Sequence, residues 1–228
     1  MNAKEHQNYN YDVVKYFSVS ACIYLVLGTA VGIWIASELA WPFLNFDIPY
    51  ITFGRLRPVH TNIVVYGFGG SVLMATAYYV VQRTCSVALW SNKLAWFTFW
   101  GWNVVIIGMF ITLPLGYTQS KEYAEMEWPL DVLITVVWLA FTFNFIMTIA
   151  IRRISHIYVA NWFYLAMMIA IIYLHVVNSL SIPVELWKSY SIFAGVQDAM
   201  IQWWWGHNAV GFFLTAGFLA IMYYFVPK

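Results

Sequence analysis

The chain has 228 residues, of which 62% are hydrophobic and only 9% charged, with a formal net charge of +1. So few charges cannot clothe a soluble domain of this length, and no basic tract offers itself to nucleic acid. The chain reads as an integral membrane protein whose surroundings are lipid, and Cys22 and Cys85, far apart and unpaired in motif, exclude a disulfide framework or a covalent heme-attachment motif.

Six apolar stretches follow one another at spanning length, roughly 14–41, 58–82, 93–115, 129–151, 159–180 and 199–226. The prolines are expected at their margins: Pro42, Pro114, Pro183 and Pro227 close stretches, Pro58 and Pro129 sit near first turns, and Pro49 lies in a loop. The expected fold class is all-α, a polytopic bundle of six transmembrane helices forming one domain over 1–228. The first stretch is too long for a secretory signal and lacks a cleavage site, so it is expected to be a retained anchor. With a cytoplasmic N-terminus the inner side carries seven basic residues (Lys4, Lys15, Arg83, Lys93, Arg152, Arg153, Lys228) against four outside (Arg55, Arg57, Lys121, Lys188), which favours that orientation.

Ionisable residues inside the stretches are few. His60 is near the outer end of the second, His175 near the outer end of the fifth, and His207 about a third of the way into the sixth. A buried imidazole must be hydrogen-bonded or bound to a metal, and its neutral form coordinates iron or copper at no charge penalty. His175 lies within two turns of its stretch's end and is expected to be structural, in reach of interfacial water. Arg55 and Arg57 stand one turn above His60, placed either to clamp the carboxylates of a heme or to anchor the interface. Glu122, Glu125 and Glu127 read on their own as a solvated acidic loop.

Three segments carry a resemblance: Gly54-Arg55-Leu56-Arg57-Pro58-Val59-His60-Thr61-Asn62, the loop from Gly116-Tyr117 through Lys121-Glu122-Tyr123-Ala124-Glu125 to Trp128-Pro129, and Trp204-Trp205-Gly206-His207-Asn208-Ala209-Val210-Gly211-Phe212-Phe213. Together they resemble the catalytic subunit of cbb3-type cytochrome c oxidase, a member of the heme-copper oxidase superfamily, and the resemblance runs over the whole chain. It implies that His60 is an axial ligand of a low-spin heme b, that Arg55 and Arg57 meet the heme propionates, and that His207 is one ligand of a copper facing a high-spin heme b. Glu122 and Glu125 match acidic residues that the family places near the propionates, and the resemblance implies a bound calcium ion there; a cation between carboxylates and propionates is physically reasonable.

Gly211 lies one turn beyond His207 on the same face. The mainstream oxidases have a tyrosine there and the related nitric oxide reductases a glutamate, so glycine fits the cbb3 type, with nitric oxide reduction as the alternative. The activity implied is reduction of dioxygen to water with proton uptake, in a bacterial inner membrane, with electrons from c-type cytochrome subunits. Thr215 and Tyr223, expected on nearly the same face as His207, are candidate proton carriers. Relative to the twelve-span family pattern the chain corresponds to the first half, so it is expected to be inactive without its C-terminal complement. A six-span transporter with His60, His175 and His207 lining a path is disfavoured, because no stretch is broken mid-span by paired Gly/Pro and none carries an acidic residue at mid-depth.

Overall fold

The computed structural model describes residues 9–228, so Lys4 lies outside the described residues. Among the described residues six helices are long and apolar enough to span a membrane: α1 Tyr11–Ala40, α2 Phe53–Cys85, α3 Asn92–Leu115, α4 Trp128–Ala150, α5 Val159–Asn178 and α6 Val196–Phe225. Each expected stretch is found, with ends shifted by a few residues. The largest shift is in α2, which begins at Phe53, so Pro58 falls inside the helix rather than in its first turn. An antiparallel hairpin, β1 Ser181–Glu185 and β2 Lys188–Ser191, joins α5 to α6. The all-α expectation had no place for it. The Trp128 indole N–H donates to the Glu185 carbonyl at 2.9 Å and holds this hairpin against α4. The α1–α2 and α3–α4 connections lie at the same end, called the hairpin end below.

Helix ends follow local chemistry. Asn10 and Ser91 side chains accept from the backbone N–H groups of Val13 and Leu94, at 3.3 and 3.2 Å, and so cap α1 and α3. Gly116, at φ +90, ends α3 in a left-handed conformation that a side chain would strain. A Cβ there would also collide with the Arg55 guanidinium.

Two helices depart from α geometry in mid-span: α2 over Ile63–Gly70 and α6 over Ala209–Leu214 are π-helical. A π turn takes one extra residue, and such segments gather at functional sites. The consequence in α6 is specific. Along an unbroken α-helix Thr215 would stand about 80° round from His207, but one absorbed residue reduces the offset to about 20°. His207, Gly211 and Thr215 accordingly share one exposed face. Tyr223 is also exposed, yet its ring stacks on Phe163 of α5 at 5.1 Å.

In lipid, helices associate through close packing and inter-helix hydrogen bonds rather than hydrophobic expulsion. Trp102 of α3 is fully buried, meets Trp138 of α4 edge-on at 5.2 Å and donates its indole N–H to Ser71 Oγ of α2 at 3.1 Å. Trp138 in turn meets Phe213 of α6 at 5.4 Å. Gly70 makes room, since a Cβ there would lie 2.5 Å from Trp102 Cζ2. Polar ties flank this stack: Tyr24 OH donates to Asn103 Oδ1 at 2.6 Å, and Asn161 Nδ2 to Thr84 Oγ1 at 2.9 Å. Trp102→Ala should cost about 3–5 kcal/mol and Gly70→Ala about 1–3 kcal/mol, both read as lowered thermal midpoints in detergent.

Candidate metal and heme site

His60 lies in the crevice between α1 and α2. Gly28 and Gly32, four residues apart on α1, let the two helices approach closely, as small residues do in membrane bundles. A Cβ at Gly32 would stand 2.6 Å from His60 Cε1, so the imidazole occupies the space a side chain would take. His60 Nδ1 is 2.8 Å from the Gly28 carbonyl oxygen. A carbonyl only accepts, so Nδ1 carries the hydrogen and Nε2 keeps its lone pair. That is the tautomer a metal ligand needs, held by the kind of carbonyl partner that orients ligating histidines.

The arginines above it turn toward the α3–α4 loop. Arg55 Nη1 reaches the Pro114 carbonyl at 3.5 Å, a long contact, while Arg57 forms an ion pair with Glu122. Both arginines are half-buried and both point at one loop rather than out to the interface. Glu125 is buried and accepts from Asn62 Nδ2 at 2.7 Å. Burial pushes the Glu125 carboxyl above the usual carboxylate range, against the opposing pull of the Asn62 hydrogen bond. The solvated acidic loop is therefore not what forms: Glu125 and Glu127 are buried and only Glu122 is half-exposed.

The loop also joins α2 to α6. The carbonyl of Tyr123 accepts from Tyr66 OH at 2.8 Å and from the Trp205 indole N–H at 3.3 Å. Trp205 is buried whereas His207, two residues on, faces outward with Gly211 and Thr215. No other ligand approaches it: among the described residues no group of three or more His, Cys, Asp or Glu side chains converges as a metal site. Thr215 Oγ1 donates to the Val210 carbonyl at 2.9 Å, and the Tyr223 carbonyl accepts from Tyr158 OH at 2.8 Å.

His175 is 2% exposed and does not reach water as expected, because the hairpin and loop fold over the end of α5. Its Nε2 is 3.2 Å from the Asp131 carbonyl and its ring meets Trp205 edge-on at 5.8 Å. The histidines do not line one path: His60 is against α1, His175 against Asp131, and His207 on an open face. Sequence reading passed over Gly28, Gly32, Asn62, Tyr66 and Tyr123. The Gly-x-x-x-Gly spacing of the first two was the legible signal.

The bundle thus holds one imidazole with a free Nε2 in a glycine-lined crevice and a second one on an open face. The chain belongs to the family described as Cytochrome C and Quinol oxidase polypeptide I, which matches residues 12–228. It is 58% identical over its full length to the cbb3-type cytochrome c oxidase subunit CcoN1 of Stutzerimonas stutzeri, covering 48% of that protein. It is 53% identical to the bacteroid cytochrome c oxidase subunit 1 homolog of Bradyrhizobium diazoefficiens, over 97% of this chain and 41% of the relative. Against cytochrome c oxidase subunit 1 of Rhodobacter capsulatus the identity is 50%, over 95% of the chain and 42% of the relative. The chain thus spans about half the length of the curated relatives it matches.

Because burial raises the Glu125 pKa, its ionisation penalises the folded state, and stability falls as pH rises from the ordinary carboxylate range through the raised value. In the cofactor-free chain, Glu125→Gln should raise the thermal midpoint at neutral pH. The advantage should vanish at a pH low enough to protonate Glu125 in both folded and unfolded chains.

Proposed function

We propose that this chain supplies the amino-terminal half of the catalytic subunit of a cbb3-type cytochrome c oxidase, which reduces dioxygen to water with electrons from c-type cytochrome subunits. The observation that carries the reading is His60, whose Nδ1–H is committed to the Gly28 carbonyl so that Nε2 is left to bind iron. When bound, the two hemes b and the copper supply electron transfer and the reduction of dioxygen.

The chain's own groups have distinct tasks. His60 would hold the iron of the low-spin heme b, and α1 fixes the orientation of its imidazole through Gly28 and Gly32. Arg55 and Arg57 hold positive charge beside the propionates, with Glu122 keeping Arg57 in place. Of the two calcium candidates, half-exposed Glu122 suits an oxygen donor better than Glu125, which is bonded to Asn62 and resists ionisation. His207 would supply one copper ligand on a face left open for the remainder of the subunit and shared by Thr215; Thr215 and Tyr223, the latter stacked on Phe163 of α5, are the proposed proton-path hydroxyls. Gly211 has open space around it and brings no carboxylate to that face, which favours oxygen over nitric oxide as substrate. The basic residues divide seven to four between the two sides, which supports a cytoplasmic N-terminus in a bacterial inner membrane, with the hairpin end facing the periplasm.

Difference spectra of membranes carrying the full-length subunit test this. His60→Ala should abolish the low-spin heme b bands, and survival of those bands would refute the assignment. Gly32→Val should shift or weaken the same bands by displacing the imidazole. His207→Ala should leave them in place while metal analysis shows loss of copper and oxygen uptake stops.

A further inference from the structure

The hairpin end holds a second group of buried ionisable side chains that none of the metal assignments uses. Glu127 and Asp131 stand four residues apart at the start of α4, on one face of the helix, at 1% and 5% exposure. Ser189 Oγ donates to Glu127 Oε2 at 2.8 Å, and Gln119 Nε2 donates to Asp131 Oδ2 at 2.7 Å. The second oxygen of each, Glu127 Oε1 and Asp131 Oδ1, is buried with no hydrogen-bond partner. From α5, His175 Nε2 approaches Oδ1 only to 3.7 Å, beyond hydrogen-bond length.

The nearby cations are already engaged. Lys121, 3% exposed, donates to the Asn178 carbonyl at 2.5 Å and pairs with Asp198 of α6 at 3.2 Å. Arg57 is paired with Glu122, and Glu125 on the same loop adds a third buried carboxyl. Among the described residues no lysine or arginine forms an ion pair with Glu127 or Asp131. The start of α4 offers about half an elementary positive charge, too little to balance two carboxylates one turn apart. Two such groups, withdrawn from water, do not both keep their charge.

Asp131 also has an outlet. A cavity of about 330 Å³ is lined by Asp131, Thr135, Ser179 and Ser181, with Trp128 and Val132 among its walls. It is open toward the surface and mostly apolar, with Asp131, Thr135, Ser179 and Ser181 offering the polar positions at which water can stand. We propose that Asp131 is a proton-binding group, holding a proton beside Glu127 and exchanging it with water in this cavity. A hydronium gives its proton to the Asp131 carboxylate and leaves as water, and the reverse step returns it; no other bond changes. His175 is a positioning residue, its Nε2–H donated to the Asp131 carbonyl at 3.2 Å. The equilibrium needs no metal and stands apart from oxygen reduction.

Acid-minus-alkaline infrared difference spectra of the full-length membrane protein test it, with elution profile and thermal melt as checks on folding. A protonated-carboxyl C=O band present in the parent should be missing in Asp131→Asn. In Glu127→Gln the band should persist, with its midpoint lowered by about one pH unit as the neighbouring charge is removed. Gln119→Leu, which leaves the carboxyl in place but deletes its donor, should shift the band's frequency. Retention of every carboxyl band in a folded Asp131→Asn protein overturns the proposal; if that variant does not fold, an unshifted band in Gln119→Leu does so instead.

Discussion

At a membrane boundary a loop must find partners for most of its polar groups, and the α3–α4 loop does so by bonding to three helices at once. Asn62 reaches Glu125, Tyr66 and Trp205 share the Tyr123 carbonyl, and Lys121 reaches the end of α5. The helix that carries His60 and the helix that carries His207 are thereby tied to the same few residues of backbone. Removing Asn62 leaves a buried carboxyl oxygen of Glu125 without its donor, a larger loss than the bond itself contributes. The loop is thus the positioning device of the hairpin end, and both the arginine cluster and the Glu127–Asp131 pair take their surroundings from it.

Six spans were legible because length and apolarity alone report a bilayer crossing, which is why the expected ends fall close to those found. His60 and His207 were legible because an imidazole in an apolar stretch demands a reason. What escaped was everything set by contact between distant segments. Whether Glu125 is solvated or buried depends on Asn62, sixty-three positions earlier. Whether His175 meets water depends on a hairpin whose strands are too short to show a clear alternation.

The bundle is closed on one side and open on the other. Trp205, Phe213 and Tyr224 bury one face of α6 against its neighbours, while His207, Gly211 and Thr215 occupy the other. Much of α1 is likewise outward, with Val26 and Ile33 exposed. The two open faces differ in kind: that of α1 is apolar and suits lipid tails, whereas that of α6 carries an imidazole and a hydroxyl. A polar stripe at membrane depth favours association with another polar surface over contact with lipid.

The π segment of α6 separates two choices that a uniform helix would couple. Upstream of Ala209 the rotation of the helix is set by Trp205 against the loop; downstream it is set by Ala216, Gly217 and Ala220 against α5 and α2. One absorbed residue lets each half settle in its own packing while His207 and Thr215 still look the same way. Drawn into a regular α-helix with no residue lost, Ala209–Leu214 would swing one half by about 100° relative to the other, whereas loss of one residue there would restore an α-helix without that swing. In this helix the count of residues, as much as their identity, determines which groups can act together.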